Sequence, residues 1–188
     1  MKRLLLFTFF LWGFSVPLLA EEAASKPSIL PASPVEMIPR EIRKPDSIPG
    51  TELSLDFPTT GSVILYLPEG YTPPADGTVN LTVHFHGATW FAIEEHRRRG
   101  LSEPLVTLAL GEGSTVYRLP FEDPNSFPTF LGTVESALKN NTERQDIRIT
   151  SVSLTSYSAG FGAVREILKT PENHAIIRRI ILGDSSYG

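Results

Sequence analysis

Apolar and polar positions alternate with a period of two through several stretches of the chain and switch to helical spacing between them. From Ile147 the apolar residues recur at Ile149, then at Val152 and Leu154, before small residues close the run. Behind them Ala163, Val164, Ile167 and Leu168 recur at helical spacing, so the pattern predicts a strand, a sharp turn and a helix, with the period changing at Ser158. Upstream, Leu53, Leu55 and Phe57 alternate with polar residues, Pro58-Thr59-Thr60-Gly61 is turn chemistry, and Val63, Leu65 and Leu67 alternate again, which predicts a β-hairpin. Val79 to Phe85 is a third strand.

The rest of the pattern completes an alternation of strands and helices. Phe91 to Arg99 reads as a short helix whose Arg97, Arg98 and Arg99 form a solvated face near its C-terminus, where cations suit the helix dipole. Leu105 to Leu110 is a continuous apolar run ending at Gly111-Glu112-Gly113, the mark of a buried parallel strand. Phe127, Phe130, Leu131, Val134 and Leu138 predict a crossover helix, and Ile176 to Leu182 a last strand. Two hairpin strands and four parallel ones imply an α/β fold: a doubly wound, mostly parallel sheet opened by an antiparallel hairpin.

The N-terminal part has a different pattern. Lys2 and Arg3 precede an uncharged apolar run from Leu4 to Leu19, and Ala20 is followed by Glu21 and Glu22, which matches a secretory signal over residues 1–20. A run of this length also suits a retained membrane anchor. Residues 21–50 carry Pro27, Pro31, Pro34, Pro39, Pro45 and Pro49 and read as a semi-rigid linker, leaving 51–188 as the folded part. The expected location is outside the cytoplasm, periplasmic or extracellular. With 188 residues, 41% of them hydrophobic, no cysteine and a formal charge of −4, the composition is that of a globular protein without the basic surplus nucleic acid requires.

Open parallel sheets bind ligands at the carboxyl ends of their strands. Three such ends carry polar, glycine-containing sequence: His86-Gly87-Ala88-Thr89, Ser158-Ala159-Gly160 and Asp184-Ser185-Ser186. They are expected to converge. Ser158 also has a plain reading as a helix N-cap, and Asp184 as an N-cap or turn former. His84 and His86, two apart on a predicted strand and hence on one face, have a metal-ligand spacing. No carboxylate or further histidine follows at useful range, and His96 and His174 fall elsewhere, so the site is read as metal-free with His86 shaping the loop by a hydrogen bond.

Ser156-Tyr157-Ser158-Ala159-Gly160 resembles the G-x-S-x-G nucleophile elbow of the α/β-hydrolase superfamily, with serine in place of the first glycine. His86-Gly87-Ala88 resembles that superfamily's His-Gly segment, without the fuller H-G-G-G form, and Pro68-Glu69-Gly70-Tyr71 resembles a P-x-G-Y segment of its secreted esterases. Over residues 51–188 the chain is similar to secreted esterases, feruloyl esterases and polyhydroxyalkanoate depolymerases. The resemblance implies a serine hydrolase that cleaves a small or polymeric ester through an acyl-enzyme and uses no cofactor. Ser158 is then the nucleophile, the N–H of Ala159 and one from Gly87, Ala88 or Thr89 are the oxyanion donors, and Asp184 is the orienting acid.

The superfamily's order is serine, acid, histidine, and none of the four histidines follows Asp184. The expectation is therefore the N-terminal part of a longer hydrolase, inactive without its base. A catalytically incompetent binding module of the same fold is the alternative, and a metal-dependent hydrolase using His84 and His86 the third reading.

Overall fold

The computed structural model describes residues 44–185. The expected export signal, the expected linker as far as residue 43, and residues 186–188 lie outside the described residues. Within them the chain forms β1 (Thr51–Ser54), β2 (Ser62–Leu67), β3 (Thr78–Phe85), α1 (Thr89–Arg98), β4 (Leu105–Ala109), α2 (Ser114–Arg118), α3 (Ser126–Thr142), β5 (Arg148–Tyr157), α4 (Phe161–Ile167) and β6 (Ile177–Gly183). Among the described residues no helix is long and apolar enough to cross a membrane.

The six strands form one sheet in the order β1-β2-β4-β3-β5-β6. β1 and β2 form the hairpin, β2 pairs antiparallel with β4, and β4, β3, β5 and β6 run parallel. This is the α/β architecture that the pattern predicts. From β3 the chain crosses through α1 to β4 on one side, then through α2 and α3 to β5 on the other, so the winding direction reverses beside β3. Such a reversal leaves a crevice at the carboxyl ends of β3 and β5.

The two faces of the sheet differ in chemistry. Val83 of β3 is flanked in register by Val106 and Leu154, all three fully buried, and this face packs on Phe127, Phe130, Val134 and Leu138 of α3 and Val164 and Ile167 of α4. On the opposite face His84 is flanked by Thr107 and Thr155, and Thr82 by Leu105 and Ser153. There a small apolar cluster, Tyr66, Ile93 and Leu105, seats α1. A buried parallel sheet is ordinarily apolar on both faces; here hydroxyls and an imidazole take over one of them. β6 is an edge of the sheet, and its Ile180, Ile181 and Leu182 are exposed.

The alternation in β5 shifts by one residue for a local reason. Val79 pairs with Ile149 but Asn80 pairs with Ser151, so Thr150 is the extra residue of a β-bulge. A bulge flips the faces of every later residue. Buried positions therefore run Ile147 and Ile149, then Val152 and Leu154. The disturbed ladder at the bulge finds a substitute acceptor, because the N–H of Ile149 donates to Glu135 Oε2 of α3 at 3.1 Å.

An aromatic cluster closes the α3 side. Phe57 stacks on Phe121 at 5.6 Å between centroids and meets Phe130 edge-on at 5.1 Å, while Phe121 meets Phe127 and Phe130. Phe130 is fully buried among them. Truncating a phenylalanine in such a site costs about 3–5 kcal/mol. Phe130→Ala should accordingly lower the urea midpoint by a loss of that size with an unchanged denaturant slope; a loss below about 1 kcal/mol would place the cluster outside the cooperative core.

Candidate active site at the strand ends

β5 ends at Tyr157, a 3-10 turn covers Ser158–Gly160, and α4 starts at Phe161. Ser158 has φ 43°, in the left-handed region that residues with a Cβ rarely occupy. A conformation of this kind costs on the order of 1–3 kcal/mol and persists only where its surroundings enforce it. Two glycines enforce it here. A Cβ on Gly160 would stand 2.2 Å from the carbonyl oxygen of Phe85, the last residue of β3, and one on Gly162 would stand 2.3 Å from the carbonyl oxygen of Ser114 in α2. The turn is pressed against β3 and α4 against α2, which leaves Ser158 no room to relax.

The N-cap reading of Ser158 does not hold. The N-cap position of α4 is Gly160, and no side chain caps that helix. Ser158 is half-buried, and its hydroxyl makes no hydrogen bond to a described residue.

The second strand end is built around His86. β3 stops at Phe85, and His86 turns to φ 72° while its N–H donates to Leu108 O at 3.0 Å. His84 and His86 are consequently not an i, i+2 pair on one strand face, which corrects the expected placement of both on β3. His84 Nδ1 lies 2.9 Å from Thr155 Oγ1, whereas His86 Nδ1 lies 2.9 Å from Tyr117 Oη. Among the described residues no group of three or more His, Cys, Asp or Glu could hold a metal. Tyr117 is itself anchored, accepting from the N–H of Leu110 and donating to Gly111 O, both at 3.1 Å. The His86 ring meets Tyr117 edge-on at 5.3 Å and lies parallel to Tyr157 at 6.3 Å. Held on both sides, His86 sets the course of Gly87, at φ 113°, into Ala88, the N-cap residue of α1, and Thr89, its first residue.

The third end is Asp184, exposed and at φ 47° directly after β6. Its neighbour Ser185 is buried, and Ser185 Oγ reaches Ser158 O at 3.2 Å and Ser156 Oγ at 3.1 Å. The turn that holds Asp184 is thereby tied to the turn after β5. His86, Ser158 and Asp184 are three of four non-glycine residues with positive φ among those described; the other, Glu143, ends α3. Strain of this kind collects at functional sites, and here it sits at the ends of three neighbouring strands. Tyr117 and Ser185 were not legible as site residues: a five-residue helix shows no period, and a serine after Asp184 looks like any turn serine.

Next to these turns, on the α1 face of the sheet, is a cleft of about 540 Å³. His84, Gly87, Trp90, Tyr157 and Gly183 are among its walls; Ser158, Ala159 and Asp184 do not line it. Burial pushes the imidazoles of His84 and His96 below the usual histidine range, His96 despite the hydrogen bond between its Nε2 and Glu103 O at 2.8 Å. With folded pKa values below the unfolded value of about 6.5, both rings contribute stability that is whole above that pH and declines as pH falls through it. The urea midpoint should therefore drop between pH 7.5 and 5, and His96→Gln should flatten that drop; an unchanged slope in the variant would assign the acid sensitivity to other groups.

No protein-family model matches the chain. No curated protein sequence matches it either. Several solved structures do. Carboxylesterase CesB of Bacillus subtilis is 11% identical, with 72% of this chain and 43% of that one covered and a TM-score of 0.41. Poly(aspartic acid) hydrolase-1 of Sphingomonas sp. KT-1 is 13% identical, with 71% and 56% covered and a TM-score of 0.45. Siderophore hydrolase EstB of Aspergillus nidulans is 16% identical, with 70% and 56% covered and a TM-score of 0.40. The chain spans about half the length of these proteins. Similarity this remote concerns the path of the chain and assigns no activity.

Proposed function

We propose that this chain carries the nucleophile and the oxyanion donors of an exported serine hydrolase that cleaves esters through an acyl-enzyme. The observation that carries the reading is Ser158 itself: a left-handed residue on a strand-to-helix turn, wedged by Gly160 against β3, with a hydroxyl that no described residue engages, at the crevice where the winding reverses.

In this reading Ser158 Oγ attacks the ester carbonyl and its proton leaves to a base. The oxyanion accepts from the N–H of Ala159 and from one N–H of Gly87, Ala88 or Thr89; loss of one such donor costs on the order of 3 kcal/mol of transition-state stabilisation. Collapse expels the alcohol, and water then releases the acid. Asp184 takes the part of the acid that orients the base, supported by the bond that ties its turn to the elbow. Among the described residues the four histidines hydrogen-bond through their rings to Thr155, Tyr117 and the carbonyls of Glu103 and Leu168, so none of these bonds runs to Ser158. That observation favours a second reading, a binding module of the same fold that retains the elbow without turnover.

A fluorophosphonate probe tests the two. Labelling of the full-length protein at Ser158, abolished by Ser158→Ala and indifferent to chelator, is the outcome expected for the hydrolase, whereas residues 1–188 alone should label weakly or not at all. Labelling that survives the substitution would sink Ser158 as nucleophile. A folded full-length protein that takes no label at all would move the binding module ahead.

A further inference from the structure

We propose that Ser185 is a positioning residue for the oxyanion hole, and that Ser156, which stands where the resembled motif has glycine, is its hydrogen-bond partner; this rests on Ser158 being the nucleophile. Three contacts meet at one buried oxygen. Ser185 Oγ lies 2.8 Å from Gly183 O, 3.2 Å from Ser158 O and 3.1 Å from Ser156 Oγ. A hydroxyl has a single proton to give. Shared between the two carbonyls, that proton leaves Ser185 as the acceptor for Ser156, whose own hydroxyl is buried with no other hydrogen-bond partner among the described residues.

The consequence follows from the peptide unit. The carbonyl of Ser158 and the N–H of Ala159 belong to one planar trans peptide and point in opposite directions. Holding the carbonyl from below therefore aims the N–H the other way, and that N–H is the donor assigned to the oxyanion. The same bond holds two left-handed turns in register, because Ser185 follows Asp184 directly and the strands beneath are paired as Ser156 with Leu182 and Tyr157 with Gly183. Ser156 adds a donor to the node, which a glycine at this position would not. A residue that merely filled space beside the turn would need no hydroxyl, whereas this one shares its proton between two carbonyls and accepts from Ser156.

The test uses the full-length protein. Ser185→Ala should lower the maximal rate of fluorophosphonate labelling about tenfold, the worth of one such hydrogen bond, and leave the probe concentration for half-maximal rate unchanged. It should also speed amide exchange at Ala159 more than elsewhere in the sheet. Ser185→Thr, which keeps the hydroxyl, should restore both. Ser156→Gly, a residue the elbow tolerates, should give a smaller loss, and combining it with Ser185→Ala should add nothing, as members of one network behave. Should Ser185→Ala fail to fold, Ser156→Gly decides alone. Normal labelling and normal Ala159 exchange in both variants would overturn the proposal. Absence of labelling in the unsubstituted full-length protein would instead overturn Ser158 as nucleophile, and the exchange measurements would still decide what Ser185 holds.

Discussion

The site depends on one close approach, the backbone of Gly160 against the carbonyl of Phe85. Because nothing larger than hydrogen fits there, the turn after β5 sits directly on the end of β3. From that contact the rest follows: Ser158 is forced left-handed, α4 starts at once and packs on the apolar face, and the end of β5 meets the end of β3 where His86 turns away. The same approach explains why position 160 is glycine while position 156 can be serine. Position 160 faces a carbonyl at van der Waals contact, and position 156 faces the hydroxyl of Ser185.

Around that contact the molecule distributes strain and stability differently. Left-handed residues with side chains stand at the ends of β3, β5 and β6, and the aromatic cluster of Phe57, Phe121, Phe127 and Phe130 lies under the opposite helices. A packed core that over-determines the backbone is what allows strained turns to persist. His86 illustrates the coupling: its ring is fixed by Tyr117, whose hydroxyl is fixed in turn by the backbone at Leu110 and Gly111.

Much of the fold was legible because burial alternates with the expected periods. The hairpin, the apolar run of β4 and the helical spacing of α3 each present a single face to a single neighbour, so period alone identified them. The bulge at Thr150 shows where the pattern also carried geometry, since the apolar positions change phase at the residue that drops out of register. The strand, turn and helix around Ser158 were legible for a related reason, a change of period between flanking small residues. What escaped was contact across the chain. Nothing near Tyr117 announces His86, thirty-one positions away, and nothing at Ser185 announces Ser156, twenty-nine away. His84 and His86 misled because alternation was carried one residue past the end of β3, where the backbone had already turned.

The unequal faces of the sheet have a bearing on how such a chain can change over time. On the α3 and α4 side nearly every strand residue is enclosed by packed side chains, and a substitution there is felt by the whole core. On the α1 side His84 bonds to Thr155, Thr155 also donates to the carbonyl of Val83, and Thr107 donates to Thr89, so polar contacts stand where the other face has apolar packing. The two duties of the sheet are thus separated by its own thickness. One surface secures the fold, and the other is left open to selection for whatever the neighbouring cleft is asked to accommodate.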